Sequence, residues 1–311
     1  MRLIFLGTPA FAVPTLEAVA QKHDVISVIT QPDRPKGRGQ ELAASPVKRA
    51  AERLGLPVYQ PERIKRPEAQ AQLAVLAPEV MVVVGYGQII PQAVIDTAPR
   101  GIVNVHASLL PKYRGAAPVQ WAIVNGETRT GVTTMQINAG LDTGDILLDR
   151  ETDIGPEETA VELGERLSLM GAELLIETLD GFARGAITPR KQDDAQASYA
   201  PILKKEDGAI SWGEPAGAIH NRVRGLLPWP GAYTRFRGQL LHIWRALVGR
   251  DGTSLAPCQV LAGPGFRVTC GDGGVLELLE VQMEGRKRMS GEAFANGQRL
   301  SEKDILGEQS N

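Results

Sequence analysis

MRLIFLGTPAFAVPTLEAVAQKHDVISVIT, residues 1–30, passes from an apolar run, RLIFLG, through a helical pattern near Ala10 to Gln21 into a second apolar run, VISVIT. The same alternation continues along the chain. Ser45 followed by Pro46 opens a helix, VMVVVG lies near Val80, GIVNVH begins at Gly101, and a further helical pattern runs from about Ala116 to Val124. Strands that are apolar nearly throughout belong to a sheet covered on both faces, and strands separated by helices pair in parallel. The reading predicts an α/β fold with a doubly wound, mostly parallel, Rossmann-like sheet. Ligands of such sheets sit beyond the carboxyl ends of the strands.

A long helical pattern from Thr159 to about Phe182 closes this region, with Gly185 and Pro189 as stop signals. KQDDAQAS, residues 191–198, is polar and reads as a linker. Beyond Gly208 the segments AYTRF, LLHIW, FRVTC and VLELLEV are separated by Gly-rich turns, which predicts a small β-barrel or sandwich. The expected division is a domain over 1–189, a linker over 190–207 and a second domain over 208–311, in keeping with a chain of 311 residues.

Composition narrows the class. Hydrophobic residues make up 43% and charged residues 23%, which favours a globular fold over disorder. The opening segment has only four consecutive apolar residues after Arg2, too few for a signal-peptide core or a membrane span, so a cytoplasmic protein without a membrane is expected. Cys258 and Cys270 form no CxxC pair and lie near no His cluster, which argues against a disulfide framework and a zinc site. Net charge is −2, but Arg222, Arg224, Arg235, Arg237, Arg245 and Arg250 fall in a stretch without an acidic residue, a bias that nucleic-acid surfaces share with solvated basic faces.

GTPAF after the first strand lacks the GxGxxG spacing, and no GxxxxGK[ST] occurs, so NAD and ATP chemistry lose support. In GIVNVH, Asn104 and His106 are two residues apart on a strand and therefore share a face. After the strand-like VTTMQIN comes GLDTGD, a Gly-bounded turn able to bring the Asp142 carboxylate beside a strand end. An amide, an imidazole and a carboxylate suit acyl transfer to an amine, because they can hold a developing oxyanion and take the nucleophile's proton. Such chemistry requires no metal. An Asp in a turn also caps backbone, so spacing alone leaves both readings open. His23, His220 and His242 have no comparable neighbours and read as structural. The segment between Gln31 and Ala44 exceeds the roughly 2 to 6 residues usual between a strand and a helix, and its Arg34, Lys36 and Arg38 suit contact with a nucleic acid.

NVHASLLPKYRGAAPVQWAI, residues 104–123, together with GLDTGD, resembles the signature of the 10-formyltetrahydrofolate-dependent formyltransferases. GTPAFAVP at Gly7 and QPDRPKGRG at Gln31 are similar to the members of that family acting on methionyl-tRNA. The resemblance implies that a formyl group passes from 10-formyltetrahydrofolate to the free amine of methionyl-initiator tRNA. An amino-sugar nucleotide or other small amine is the alternative acceptor, and no obligate protein partner is implied. Asn104, His106 and Asp142 would be catalytic, Ser108, Leu109, Leu110 and Pro111 would line the folate site, and the segment around Tyr86 would flank the pterin. The loop carrying Arg34, Lys36 and Arg38 would lie on the tRNA, and the second domain would be an OB-like β-barrel contacting it. Leu227 stands where relatives often carry Asn, and Asn138 where an acidic residue is common.

Overall fold

The computed structural model describes residues 1–36, 41–250 and 252–307. They form two compact units, the first of Met1–Gly115, Arg129–Asp153 and Gly164–Ala200, the second of Ala116–Thr128, Ile154–Leu163 and Pro201–Asn311. In chain order the elements begin β1 (Arg2–Gly7), α1 (Val13–Lys22), β2 (Asp24–Ile29), β3 (Arg34–Lys36), β4 (Glu41–Ala43), α2 (Pro46–Arg53), β5 (Val58–Tyr59), α3 (Pro67–Leu76), β6 (Val80–Val84) and α4 (Gln92–Ile95). They continue with β7 (Ile102–His106), β8 (Arg114–Gly115), α5 (Pro118–Val124), β9 (Arg129–Gln136), β10 (Ile146–Asp153), α6 (Ala160–Arg184) and β11 (Tyr199–Ala200).

The main sheet of the first unit has the order β10-β9-β7-β6-β1-β2-β5. β1, β2, β5, β6 and β7 run parallel, and β9 and β10 add an antiparallel margin. The chain moves outward from β1 to β2 and β5, then returns past β1 to β6 and β7, so the strand order reverses between β1 and β6. β6 and β7 are buried at every position, as their apolar sequences require in a doubly covered sheet. α6 covers one face. A Cβ at Gly171 would stand 2.8 Å from Val105 Cγ1, so glycine permits this close approach. Farther along the helix, Thr178 and Thr134 share a hydroxyl hydrogen bond of 2.8 Å. Val105 therefore faces α6, and Asn104 and His106 face the other way.

Two segments that read as connections carry structure of their own. The excursion between Gln31 and Ala44 contains an antiparallel ladder pairing Arg34 with Ala43, Pro35 with Leu42 and Lys36 with Glu41. Arg38 lies outside the described residues. The stretch expected as a linker exchanges backbone hydrogen bonds with the sheet at Arg190 and Ile146, and its β11 pairs with β8. Composition could not reveal this, because the tertiary hydrogen bonds of Gln192, Asp194 and Ser198 leave no mark that separates these residues from solvated polar neighbours.

The second unit adds α7 (Ala216–Gly225), β12 (Ala232–Phe236), β13 (Gln239–Val248), β14 (Arg267–Thr269), β15 (Val275–Met283), β16 (Met289–Ser290) and α8 (Gly291–Gln298). Its strands are antiparallel in the order β12-β13-β15-β14, with β16 on β15. The four strand segments read from sequence all fall on these strands. α7 and α8 depart from the all-β expectation. α7 buries Ala216, Ile219 and Val223 at helical spacing, while Ser290 caps α8 by accepting from the Ala293 N–H. Phe294 of α8 packs edge-on against Phe236 and stacks on Phe266 in the core of this unit. Cys270 is buried there, and burial pushes its thiol up to about 12, leaving it a neutral packing group.

The arginine run does not form one continuous exposed face. Arg224 is 7% exposed and donates to the carbonyls of Gly155 and Glu158 at 3.0 and 2.7 Å and to Asn221 Oδ1 at 3.0 Å. Arg222 donates to the carbonyl of Asp207 at 2.8 Å, and Arg237 to the Asp304 carboxylate at 2.7 Å. These guanidinium groups hold the unit together. Arg224→Met removes the hydrogen bonds to Gly155, Glu158 and Asn221, and we predict a loss of about 2 to 3 kcal/mol and a fall in Tm on the order of 5 °C. Calorimetry of the full chain checks this; an unchanged Tm would return Arg224 to a surface role.

Candidate active site

Asn104 and His106 emerge from the last residues of β7, where the register sets Asn104 opposite Met135 and His106 opposite Thr133 of β9. They are 8% and 6% exposed. The amide of Asn104 has no hydrogen-bond partner among the described residues. His106 Nε2 lies 2.9 Å from the carbonyl oxygen of Tyr113. A carbonyl only accepts, so Nε2 carries a proton, and in the neutral ring Nδ1 is the basic nitrogen. Nδ1 faces Asp142 Oδ2 at 3.7 Å, near enough for charge to act and too far for a direct hydrogen bond.

Asp142 sits in the turn between β9 and β10 with φ of 51°, a left-handed conformation that Asx residues tolerate better than most. Its Oδ2 accepts from the backbone N–H of Gly115 at 2.9 Å. A Cβ at Gly144 would stand 1.7 Å from the carbonyl oxygen of Gln136, so glycine is required where the turn folds back on β9. Asn138 Oδ1 accepts from the Gly140 N–H and the Thr143 hydroxyl at 2.9 and 2.8 Å. An acidic residue could accept the same two bonds, which accounts for Asn at this position.

The turn after β7 is equally fixed. The Ser108 hydroxyl donates to the carbonyl of Lys112 at 2.6 Å, and the Thr133 hydroxyl donates to the carbonyl of Ser108 at 2.7 Å. Leu110 packs with Met135 and Ile146, while Leu109 and Pro111 stay partly exposed. Tyr86 turns its ring into the core, where its hydroxyl is buried without a partner among the described residues and burial raises its pKa. Its carbonyl accepts from Thr8 Oγ1 at 2.9 Å and from Gln31 Nε2 at 3.2 Å. Beside these groups lies a cavity of about 460 Å³ lined by Thr8, Pro9, Gln31, Arg34, Ser45 and Gly87 among others. Asn104, His106 and Asp142 are not among its lining residues. Among the described residues, no group of three or more His, Cys, Asp or Glu is placed to hold a metal ion, and no helix is long and apolar enough to cross a membrane.

A family model described as formyl transferase matches residues 1–179, and one described as formyl transferase, C-terminal domain, matches residues 202–299. The chain is 65% identical over 309 residues to the methionyl-tRNA formyltransferase of Solibacter usitatus, covering 99% of each chain. It is 50% identical over 308 residues to that of Geobacter metallireducens, again covering 99% of each. The chain belongs to the methionyl-tRNA formyltransferase family. Among solved structures, an N-formyltransferase from Helicobacter canadensis in complex with folinic acid and dTDP-3-aminofucose shares the fold, with a TM-score of 0.67 and 19% identity over 90% of this chain and 98% of that one.

Arg114 and Gln192 were not singled out from sequence, yet both support Asp142. Gln192 Nε2 donates to the carbonyls of Asp142 and Gly144 at 2.8 and 2.7 Å. Its Oε1 accepts two hydrogen bonds from Arg114, which is 2% exposed and also pairs with Asp194 at 2.7 Å. Arg114 lay within the quoted motif, but Gln192 lay in the polar stretch read as a linker, where no local pattern distinguishes it. Gln192→Leu keeps the bulk and removes the clamp. We predict that it lowers kcat of formyl transfer by about 10- to 100-fold, the scale of a misplaced catalytic group; steady-state kinetics with an unchanged kcat would deny Gln192 a positioning role.

Proposed function

We infer that this chain transfers a formyl group from 10-formyltetrahydrofolate to the free amine of methionyl-initiator tRNA, as a cytoplasmic enzyme. The observation that carries this reading is the placement, on one face at the carboxyl end of β7, of an Asn104 amide without a partner among the described residues and of His106, which faces Asp142. An unpartnered N–H donor next to a basic nitrogen fits a carbonyl oxygen adjoining an amine. The folate supplies the activated formyl group: the amine nitrogen bonds to the formyl carbon, the bond from that carbon to the folate nitrogen breaks, and the proton lost by the amine ends on that departing nitrogen. Asn104 donates to the formyl oxygen as it gains charge. His106, with Nε2 engaged by Tyr113, offers Nδ1 to the proton leaving the amine, and the Asp142 carboxylate stabilises the imidazolium that results. Leu109 and Pro111 supply apolar surface to the folate, while Ser108 and Leu110 hold their turn in shape.

In functional terms, residues 1–189 are the catalytic domain, 190–207 the link, and 208–311 an OB-like β-barrel that contacts tRNA. The β3–β4 hairpin bears Arg34, an exposed cation at the cavity rim, and Lys36 closes β3. With Arg38, these residues contact the acceptor end of the tRNA. Support comes from the length of the excursion, its cations, and the full-length likeness to enzymes named for methionyl-tRNA.

Incubating the purified chain with methionyl-tRNA and 10-formyltetrahydrofolate should yield formylmethionyl-tRNA. His106→Ala should lower kcat at least roughly 100-fold, and Asn104→Ala should act mainly on kcat rather than KM. Near-normal turnover by folded variants would remove both residues from the chemistry. Arg38→Ala should weaken activity on methionyl-tRNA and flatten its salt dependence, with folate binding unchanged. An unaltered salt slope would make the hairpin a solvated surface feature.

A further inference from the structure

His106 and Asp142 take their outer partners from one short stretch of backbone. The Tyr113 carbonyl meets His106 Nε2 at 2.9 Å, and the Gly115 N–H, two residues on, donates to Asp142 Oδ2 at 2.9 Å. Whatever fixes this stretch therefore fixes both members of the pair. The stretch does not hold its shape by intrinsic preference. Tyr113 has φ of 61°, in the left-handed region where a Cβ is crowded and a bulky side chain seldom settles. Such a conformation persists only where neighbouring groups determine it.

Those groups belong to Ser198, the last residue of the polar stretch KQDDAQAS. Its hydroxyl oxygen accepts from the Tyr113 N–H at 2.9 Å, its carbonyl accepts from the Arg114 N–H at 2.8 Å, and its own N–H donates to the Pro111 carbonyl at 3.3 Å. The first two bonds grip the peptides on either side of Tyr113, and the relative rotation of these two planes is what the Tyr113 backbone angles describe. The peptide between Tyr113 and Arg114 matters most for the chemistry. A trans peptide is planar, with its N–H and C=O pointing in opposite directions, so an Arg114 N–H held on Ser198 aims the Tyr113 carbonyl away from Ser198 and onto His106 Nε2. The preceding peptide is also held at both ends, because the Lys112 carbonyl accepts from the Ser108 hydroxyl at 2.6 Å. Next to Ser198, β11 pairs with β8 so closely that a Cβ at Gly115 would stand 2.6 Å from the Ala200 carbonyl oxygen. Glycine there lets the strap close.

We propose that Ser198 is a positioning residue for His106: by gripping both peptides of Tyr113 it keeps the Tyr113 carbonyl on Nε2 and so reserves Nδ1 for the incoming proton. This rests on the proton-accepting role proposed for His106 above. If the peptide between Tyr113 and Arg114 turned over, its carbonyl would leave Nε2, the neutral imidazole would no longer be restricted to one tautomer, and the fraction with a basic Nδ1 would fall. Gln192 steadies Asp142 from the same polar stretch, and Ser198 steadies the other member of the pair through a different bond.

Nitrogen NMR of the full chain, isotope-labelled at its histidines, reads the tautomer of His106 at a pH where imidazole is neutral, with His106→Gln identifying the signals. Steady-state formylation of methionyl-tRNA and thermal melts accompany it on the same samples. The parent chain should show one tautomer, protonated at Nε2. Ser198→Ala removes the acceptor of the Tyr113 N–H, so it should mix the tautomers and lower kcat roughly 10-fold, with KM for methionyl-tRNA within about a factor of two of the parent. Ser198→Thr restores a hydroxyl and should return both readings to the parent values. A folded Ser198→Ala chain with a single tautomer overturns the proposal, whatever its kcat. Should Ser198→Ala not fold, hydrogen exchange in the parent chain decides: Tyr113 and Arg114 amides protected as strongly as those of β7 support the grip, and amides exchanging like an exposed loop overturn it. If Ser198→Ala mixes the tautomers and yet formylates at the parent rate, Ser198 still positions His106, and it is the proton-accepting role of His106 that fails.

Discussion

The hydrogen bond between His106 Nε2 and the carbonyl of Tyr113 governs what this site can do. It fixes where the imidazole carries its proton and leaves Nδ1 as the nitrogen that can receive one. Asp142 is held on the Nδ1 side by the Gly115 N–H and by the clamp that Gln192 places on its backbone. In the proposed reaction the histidine and the carboxylate act as a directed proton acceptor, and Asn104, two residues earlier on the same strand face, offers a donor for the formyl oxygen.

This arrangement depends on β7 being served differently on its two faces. Gly171 lets α6 close tightly over Val105, so the strand's other face is free for polar side chains. The antiparallel margin contributes as well. β9 returns beside β7 and ends in the turn that carries Asp142, which a wholly parallel sheet would have separated by a longer crossover. A buried Arg114, bonded to Gln192 and Asp194, ties residues 190–200 to that turn.

Much of this was legible in the sequence because its signals are local. RLIFLG, VMVVV and IVNVH are buried strands, and the two-residue spacing of Asn104 and His106 placed them on one face without any knowledge of the fold. What escaped was non-local. Gln192 looks like any residue of a polar connection until its carbonyl partners are known. α7 is too short and too rich in glycine and charge for its apolar spacing to stand out, and Tyr86, flanked by two glycines, gives no hint that its ring turns inward. The arginine run misled for the opposite reason: charge counted along the chain says nothing about which guanidinium groups bond to buried carbonyls.

In the proposed reaction, proton acceptance by His106 depends on the charge of Asp142. Asp142→Asn isolates that charge, since an amide oxygen can still accept from the Gly115 N–H while the carboxylate is lost. Single-turnover formylation of methionyl-tRNA with saturating 10-formyltetrahydrofolate measures the step directly. The expected rate is lower by roughly 100-fold, with tRNA affinity unchanged. A rate within a factor of about two of the parent chain would place the proton elsewhere and contradict the assignment of His106 and Asp142.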